Sequence, residues 1–172
     1  LFNVYNAMLL VTVSSQLQDI VRHIADVQPL LKTYVSAFEN PDGMSLPKRT
    51  FELDEEVAVL KDLTLRCLNS PPASVTVEQL EDLLGPTSAP FQDCAREQML
   101  LDVLLEMVVA PVNYGLTLEF KFNTEKKKKD WIDPSFKVVS IVHKLAWTCL
   151  KNLVRNNTTS CSYAAGKELM YK

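Results

Sequence analysis

Two histidines, four cysteines, an isolated arginine near a Pro and a run of four lysines are the side chains in this sequence that could do chemistry. His23 and His143 could each serve as a general base. That role needs a nucleophile and an orienting carboxylate, and the sequence places neither at a suggestive spacing. Both are therefore expected to be ordinary surface or boundary histidines. Cys67, Cys94, Cys149 and Cys161 are widely spaced, with no Cys-x-x-Cys pair, and the two histidines do not complete a zinc set with them. They read as reduced and mostly buried thiols, which implies a cytosolic compartment. No metal and no cofactor is expected.

Lys126 to Lys129 form a basic block between Phe122 and Trp131. This combines phosphate attraction with rings for stacking. Four adjacent like charges in an acidic chain are better read as a solvated loop, with contact to an acidic partner surface as the functional variant. Asn156-Asn157-Thr158-Thr159 holds two overlapping glycosylation acceptors, which matter only in a secreted protein. Arg96 lies just inside a helix beginning near Pro90. First-turn amides and a guanidinium can converge there on an anion, although the bland alternative is an ion pair with Glu97 or another carboxylate. Phosphate-binding Gly loops, His-Glu-x-x-His, Gly-x-Ser-x-Gly and EF-hand patterns are all missing from the sequence, which argues against an enzyme.

These residues must be held by something, and length and composition say what. A chain of 172 residues that is 47% hydrophobic and 23% charged, with four glycines, suits one helix-rich domain spanning 1–172. Eighteen basic and 21 acidic residues give a net charge of −3, so no long-range positive field exists to gather nucleic acid. The apolar opening from Ala7 to Val13 stops at Ser14, far short of a membrane span, so direct membrane contact is not expected. The start at Leu1 reads as an internal fragment of a longer chain.

Apolar spacing predicts a helix from Phe2 to about Ala25 and a shorter one from Leu30 to Phe38, ended by Asn40-Pro41-Asp42-Gly43, with residues 40–50 as a loop. Glu52 to Asn69 reads as a helix with acidic residues in its first turns, stopped by Pro71-Pro72. Thr76 and Gln79 have capping-box spacing ahead of Leu80, Leu83 and Leu84, and Gly85-Pro86 is the next stop. A single helix is predicted from Phe91 to Val109, apolar on two sides and closed by Pro111. Residues 113–133 read as a loop, with an alternating stretch from Leu116 to Phe122 that could equally form an isolated β segment. Asp133-Pro134 then starts a helix with a stripe of Val138, Val142, Leu145, Cys149 and Leu153, and a last helix runs from about Ser160 to Tyr171. The expectation is an all-α, armadillo-like array of about six or seven helices.

Arg96-Glu97-Gln98, followed by Leu100-Leu101, Leu104-Leu105 and Ala110-Pro111, resembles the homology domain shared by ryanodine and inositol trisphosphate receptors. Pro134-Ser135-Phe136 with Leu145, Cys149, Leu150, Lys151 and Leu153 resembles the next helix of that domain, and Phe2 to Ala7 is similar to the linker helix that leaves the preceding β-trefoil. The resemblance implies an armadillo-like half of the inositol trisphosphate-binding core of an intracellular calcium-release channel. It also implies a homotetrameric parent on the cytosolic side of the endoplasmic reticulum membrane, with neighbouring domains of the same channel as partners. Ligand-binding members carry basic residues three and seven positions before the matched arginine. Here those positions are Asp93 and Ala89, so Arg96 alone is carried over as a phosphate contact. The competing reading is a helical-repeat scaffold that binds a peptide or partner helix without a ligand.

Overall fold

The computed structural model describes residues 15–38, 53–69, 74–80, 83–113 and 134–168. The alternating stretch at 116–122, the lysine run at 126–129, Trp131, the loop expected at 40–50, nearly all of that expected at 113–133, and the opening at 1–14 lie outside them. The described residues form seven helices and no strand. The domain is all-helical.

Helix α1 spans Ser15–Ser36 and buries Ile24, Leu31, Tyr34 and Val35. The two helices expected over Phe2–Ala25 and Leu30–Phe38 are, across the described part, this one helix. It continues through Pro29, which lacks the N–H that Ala25 would receive but sits on the exposed side, where water can satisfy the freed carbonyl. Packing holds the two halves in line: α1 lies against α4 and α5, and Gln28 donates to the Gln98 carbonyl at 2.5 Å.

Helix α2, Asp54–Cys67, opens on Asp54, Glu55 and Glu56, whose charges oppose the positive end of the helix dipole. It ends before Pro71-Pro72, because the chain turns into a short antiparallel bridge between Leu68 and Thr87. There Ser88 N donates to the Cys67 carbonyl (2.7 Å) and Asn69 N to that of Pro86 (2.8 Å). The expected capping box is present at α3, Val77–Leu80: Thr76 N donates to Gln79 Oε1 at 3.0 Å, and Gln79 N to Thr76 Oγ1 at 3.4 Å.

The helix expected over Phe91–Val109 is two helices. α4, Ala89–Glu97, and α5, Leu100–Asn113, meet at an elbow where Met99 takes φ of 60°. A methionine in the left-handed region is strained. Burial of Phe91, Cys94 and Ala95 on one side of the elbow and Leu100, Leu101, Leu104 and Met107 on the other compensates, since an unbroken helix could not seat both faces. Pro111 falls inside the last turn of α5 instead of closing it.

Helix α6, Pro134–Val154, begins at the expected Pro and carries the expected stripe: Val142, Leu145, Cys149 and Leu153 are fully buried and Val138 is half-buried. It is the centre of the domain, packed against α2 and α5 and touching α4 and α7. Helix α7 spans Thr158–Glu168, starting two residues before the expected Ser160. Among the described residues no helix is long and apolar enough to cross a membrane.

Candidate functional site

The polar side chains that sequence reading singled out converge, in part, where α4, the end of α6 and the start of α7 meet. Helix α4 starts after Ser88 with Pro90 in its first turn, which fixes the phase of the helix. Ala89, Asp93 and Arg96 follow at spacings of four and three, along one side of α4.

Arg96 is committed to protein partners. One guanidinium nitrogen donates to Asp93 Oδ1 (2.9 Å) and to Ser160 Oγ on α7 (3.4 Å), and the other donates to Glu97 Oε1 (3.0 Å). Its side chain is 15% exposed. The hydrogen bond to Glu97, and after it that to Asp93, hold its proton more tightly than usual. Asp93 also accepts from Asn157 Nδ2 at 3.1 Å. Asn157 in turn caps α7, its Oδ1 taking the Ser160 amide at 2.9 Å. Arg96, Asp93 and Asn157 thus form a clamp from α4 to α7. An anion approaching Arg96 meets Asp93 and Glu97 first, and exposed Ala89 contributes only a methyl group.

Beneath the clamp, Gln92 and Asn152 cross-link the same elements. Gln92, 2% exposed, donates to the Asn152 carbonyl at 2.8 Å in the last turn of α6 and to the Arg155 carbonyl at 2.7 Å just past its end. Asn152, fully buried, donates to the Leu83 carbonyl (2.9 Å) and to Thr148 (3.1 Å). Further along the same face of α7, Asp102 of α5 receives the Tyr163 hydroxyl at 2.5 Å and lies 2.8 Å from Lys167 Nζ, which stands over the Tyr163 ring at 5.4 Å. The hydrogen bond to Asp102 pushes the Tyr163 phenol up and stabilises charged Lys167.

The histidines are elsewhere and apart. His23 Nε2 on α1 lies 2.8 Å from Asp62 Oδ2 on α2, an oxygen that Arg66 Nε also reaches at 2.7 Å. Burial, and then the Arg66 charge, lower the His23 pKa despite Asp62. His143 is on α6, and burial lowers its pKa too, against an opposing pull from the Val108 backbone on α5. Among the described residues, neither forms a hydrogen bond or ion pair with a cysteine or hydroxyl side chain. Cys67, Cys94 and Cys149 are buried free thiols and Cys161 an exposed one. Burial raises all three buried thiols, Cys149 to about 12. No cluster of three or more His, Cys, Asp or Glu suited to a metal occurs among the described residues.

Sequence reading located Arg96 and its partner Glu97 but missed Gln92, Asn152, Asp102 and Tyr163. It noted Asn157 only within an acceptor pattern that matters in a secreted protein, and did not see that its side chain caps a helix. The available signal was Asn157 with Ser160 three residues on, at the start of an amphipathic stretch. No family model, no curated protein and no solved structure matches the chain.

Proposed function

We propose that this chain is a non-catalytic, armadillo-like domain from the cytosolic side of an endoplasmic-reticulum calcium-release channel. Within a homotetrameric parent it would pass conformational change between neighbouring domains by shifting packed helices. The observation that carries the relay role, as opposed to a phosphate receptor, is the commitment of Arg96. Its guanidinium joins α4 to α7 through Asp93, Asn157 and Ser160, while Glu97 takes its remaining donor face. The channel context rests on the resemblance of residues 96–111, which here form the α4–α5 elbow and its buried seam. Arg96 acts as a coupling residue, and inositol trisphosphate, if the parent responds to it, is held by other groups.

The test is calcium release from loaded vesicles that carry the full parent chain, compared with Arg96→Gln. The expected result is activator-evoked release whose sensitivity shifts in the variant at unchanged amounts of folded protein. A wild-type parent that passes no calcium sinks the channel reading, and release identical in the variant sinks the relay role of the clamp. Calorimetric titration of inositol trisphosphate addresses Arg96 itself: saturable binding abolished by Arg96→Gln would return it to the ligand site. A partner-binding scaffold is the second reading, and it rests on Trp147, 44% exposed on α6 between exposed Lys144 and Lys151.

A further inference from the structure

Arginine-directed protein kinases select a Ser or Thr three residues after a basic residue, because the basic side chain fits an acidic pocket while the hydroxyl reaches the γ-phosphate. Three such pairs fall among the described residues: Lys61 with Thr64, Lys137 with Ser140, and Arg155 with Thr158. The fold separates them. Thr64 is fully buried and its hydroxyl donates to the Leu60 carbonyl at 2.8 Å. Ser140 is buried inside α6. Arg155 and Thr158 are both exposed, Arg155 in the short connection after α6 and Thr158 at the first residue of α7.

The backbone there suits the role. Asn156 takes φ of 56°, so the connection is a turn that no regular helix continues through. Gln92 and Thr87 hold the Arg155 carbonyl, at 2.7 and 3.3 Å, which fixes the main chain, and its guanidinium forms no ion pair among the described residues. Presenting Thr158 to a kinase groove requires opening the first turn of α7, which breaks the Cys161 N bond to the Asn157 carbonyl (2.9 Å), the Asn157 N bond to Val154 (3.2 Å), the Asn157 cap and its bond to Asp93. Helix ends fray at small cost.

We propose that Thr158 is a phosphorylation site for an arginine-directed, ATP-dependent Ser/Thr kinase, and that its phosphate resets the clamp between α4 and α7. The Thr158 Oγ1–Pγ bond forms as the bond from Pγ to the β–γ bridging oxygen breaks. ADP leaves, and the hydroxyl proton passes to the kinase's catalytic carboxylate. The product carries nearly two negative charges at the first residue of α7. They are favoured by the positive end of the α7 dipole, and they lie one residue from Asn157, whose amide binds Asp93. The added charge repels Asp93 and competes with it for Arg96. This holds for any chain exposed to cytosolic kinases and does not rest on the channel reading.

The experiment incubates the folded protein, the four variants each checked by circular dichroism, with Mg-ATP and the catalytic subunit of a cyclic-AMP-dependent kinase. One phosphoryl group per chain is expected, mapped to Thr158, lost in Thr158→Ala, retained in Thr159→Ala, and slowed at least about tenfold in Arg155→Gln, the loss of one charge-assisted contact. Hydrogen exchange of the phosphorylated protein should show amides 160–162 protected about two- to fivefold more, the range for an anion at a helix start. It should also show α4 around Asp93 less protected. Phosphoryl transfer mapped elsewhere, none into the folded wild type, or a rate indifferent to Arg155→Gln overturns the acceptor assignment. Modification at Thr158 with unchanged exchange in α4 overturns the coupling to the clamp; Asp93→Asn, which removes the repelled charge, should abolish that change.

Discussion

Replacing Gln92 is expected to unfasten the end of α6 from α4, and the cost can be worked from the hydrogen bonds it makes. The last carbonyls of a helix have no partner within it. Here the Gln92 amide supplies donors to those of Asn152 and Arg155 at 2.8 and 2.7 Å, from a side chain that is 2% exposed. Gln92→Leu keeps most of the volume and removes both donors. Each lost bond contributes about 0.5–1.5 kcal/mol, and an acceptor left dry costs about 1–3 kcal/mol, so the pair sums to roughly 2–3 kcal/mol where Thr87 and water recover part of it. For a domain of this size that is a fall in Tm of about 5–10 °C. Gln92→Glu is the sharper test, because it sets a carboxylate against two carbonyls at the negative end of the α6 dipole, and a total loss of about 3–5 kcal/mol is expected at neutral pH. Burial beside acceptors raises the folded-state pKa of such a carboxyl. Its extra penalty is therefore full above that raised value and disappears below the unfolded value of about 4.3. Urea unfolding followed by circular dichroism, with Gln92→Leu as reference at each pH, measures both. If Gln92→Glu is as stable as Gln92→Leu at pH 7, the Gln92 amide is not donating to α6 and the geometry assigned here is wrong.

Three further outcomes follow from individual side chains. In the native protein a disulfide-exchange reagent at mildly alkaline pH should titrate one thiol promptly, exposed Cys161, and reach Cys67, Cys94 and Cys149 only on unfolding; Cys161→Ser should abolish the prompt phase. His23 and His143 have folded pKa values below their ordinary 6.5, so the unfolded chain takes up protons first: stability should be full above about 6.5 and fall as pH drops below it. His143→Gln should flatten that decline in equilibrium unfolding, and a slope unchanged in both His23→Gln and His143→Gln would count against the assigned burial. Tyr163→Phe removes the hydroxyl from Asp102, which is 7% exposed, and should cost about 1–3 kcal/mol with faster hydrogen exchange confined to α7; loss spread evenly over all helices would refute a local tie.

What the sequence made legible depended on how local the cause was. The acidic opening of α2, the Thr76–Gln79 box and the Pro134 start are decided within one turn, and each is found where local chemistry puts it. The central stripe of α6 was readable because a period of 3.6 is a property of the helix alone. The misses share the opposite character. Apolar spacing places a break between Ala25 and Leu30, yet α1 runs through Pro29, because the decision lies with packing against α4 and α5. The run from Phe91 to Val109 has no Gly or Pro to signal a break. The elbow at Met99 exists because burying Phe91 and Ala95 together with Leu100 and Leu104 outweighs about 1–2 kcal/mol of left-handed strain. The same distinction explains Arg96. Its (i, i+3) pairing with Asp93 could be read from spacing, and Glu97 was named as a partner. The bonds that give the pair its place, Ser160 and Asn157 more than sixty residues away, could not. A charge at helical spacing from its partner is ordinarily a weak surface feature. Here α7 lies across it, the side chain is 15% exposed, and the same two residues become a joint between elements.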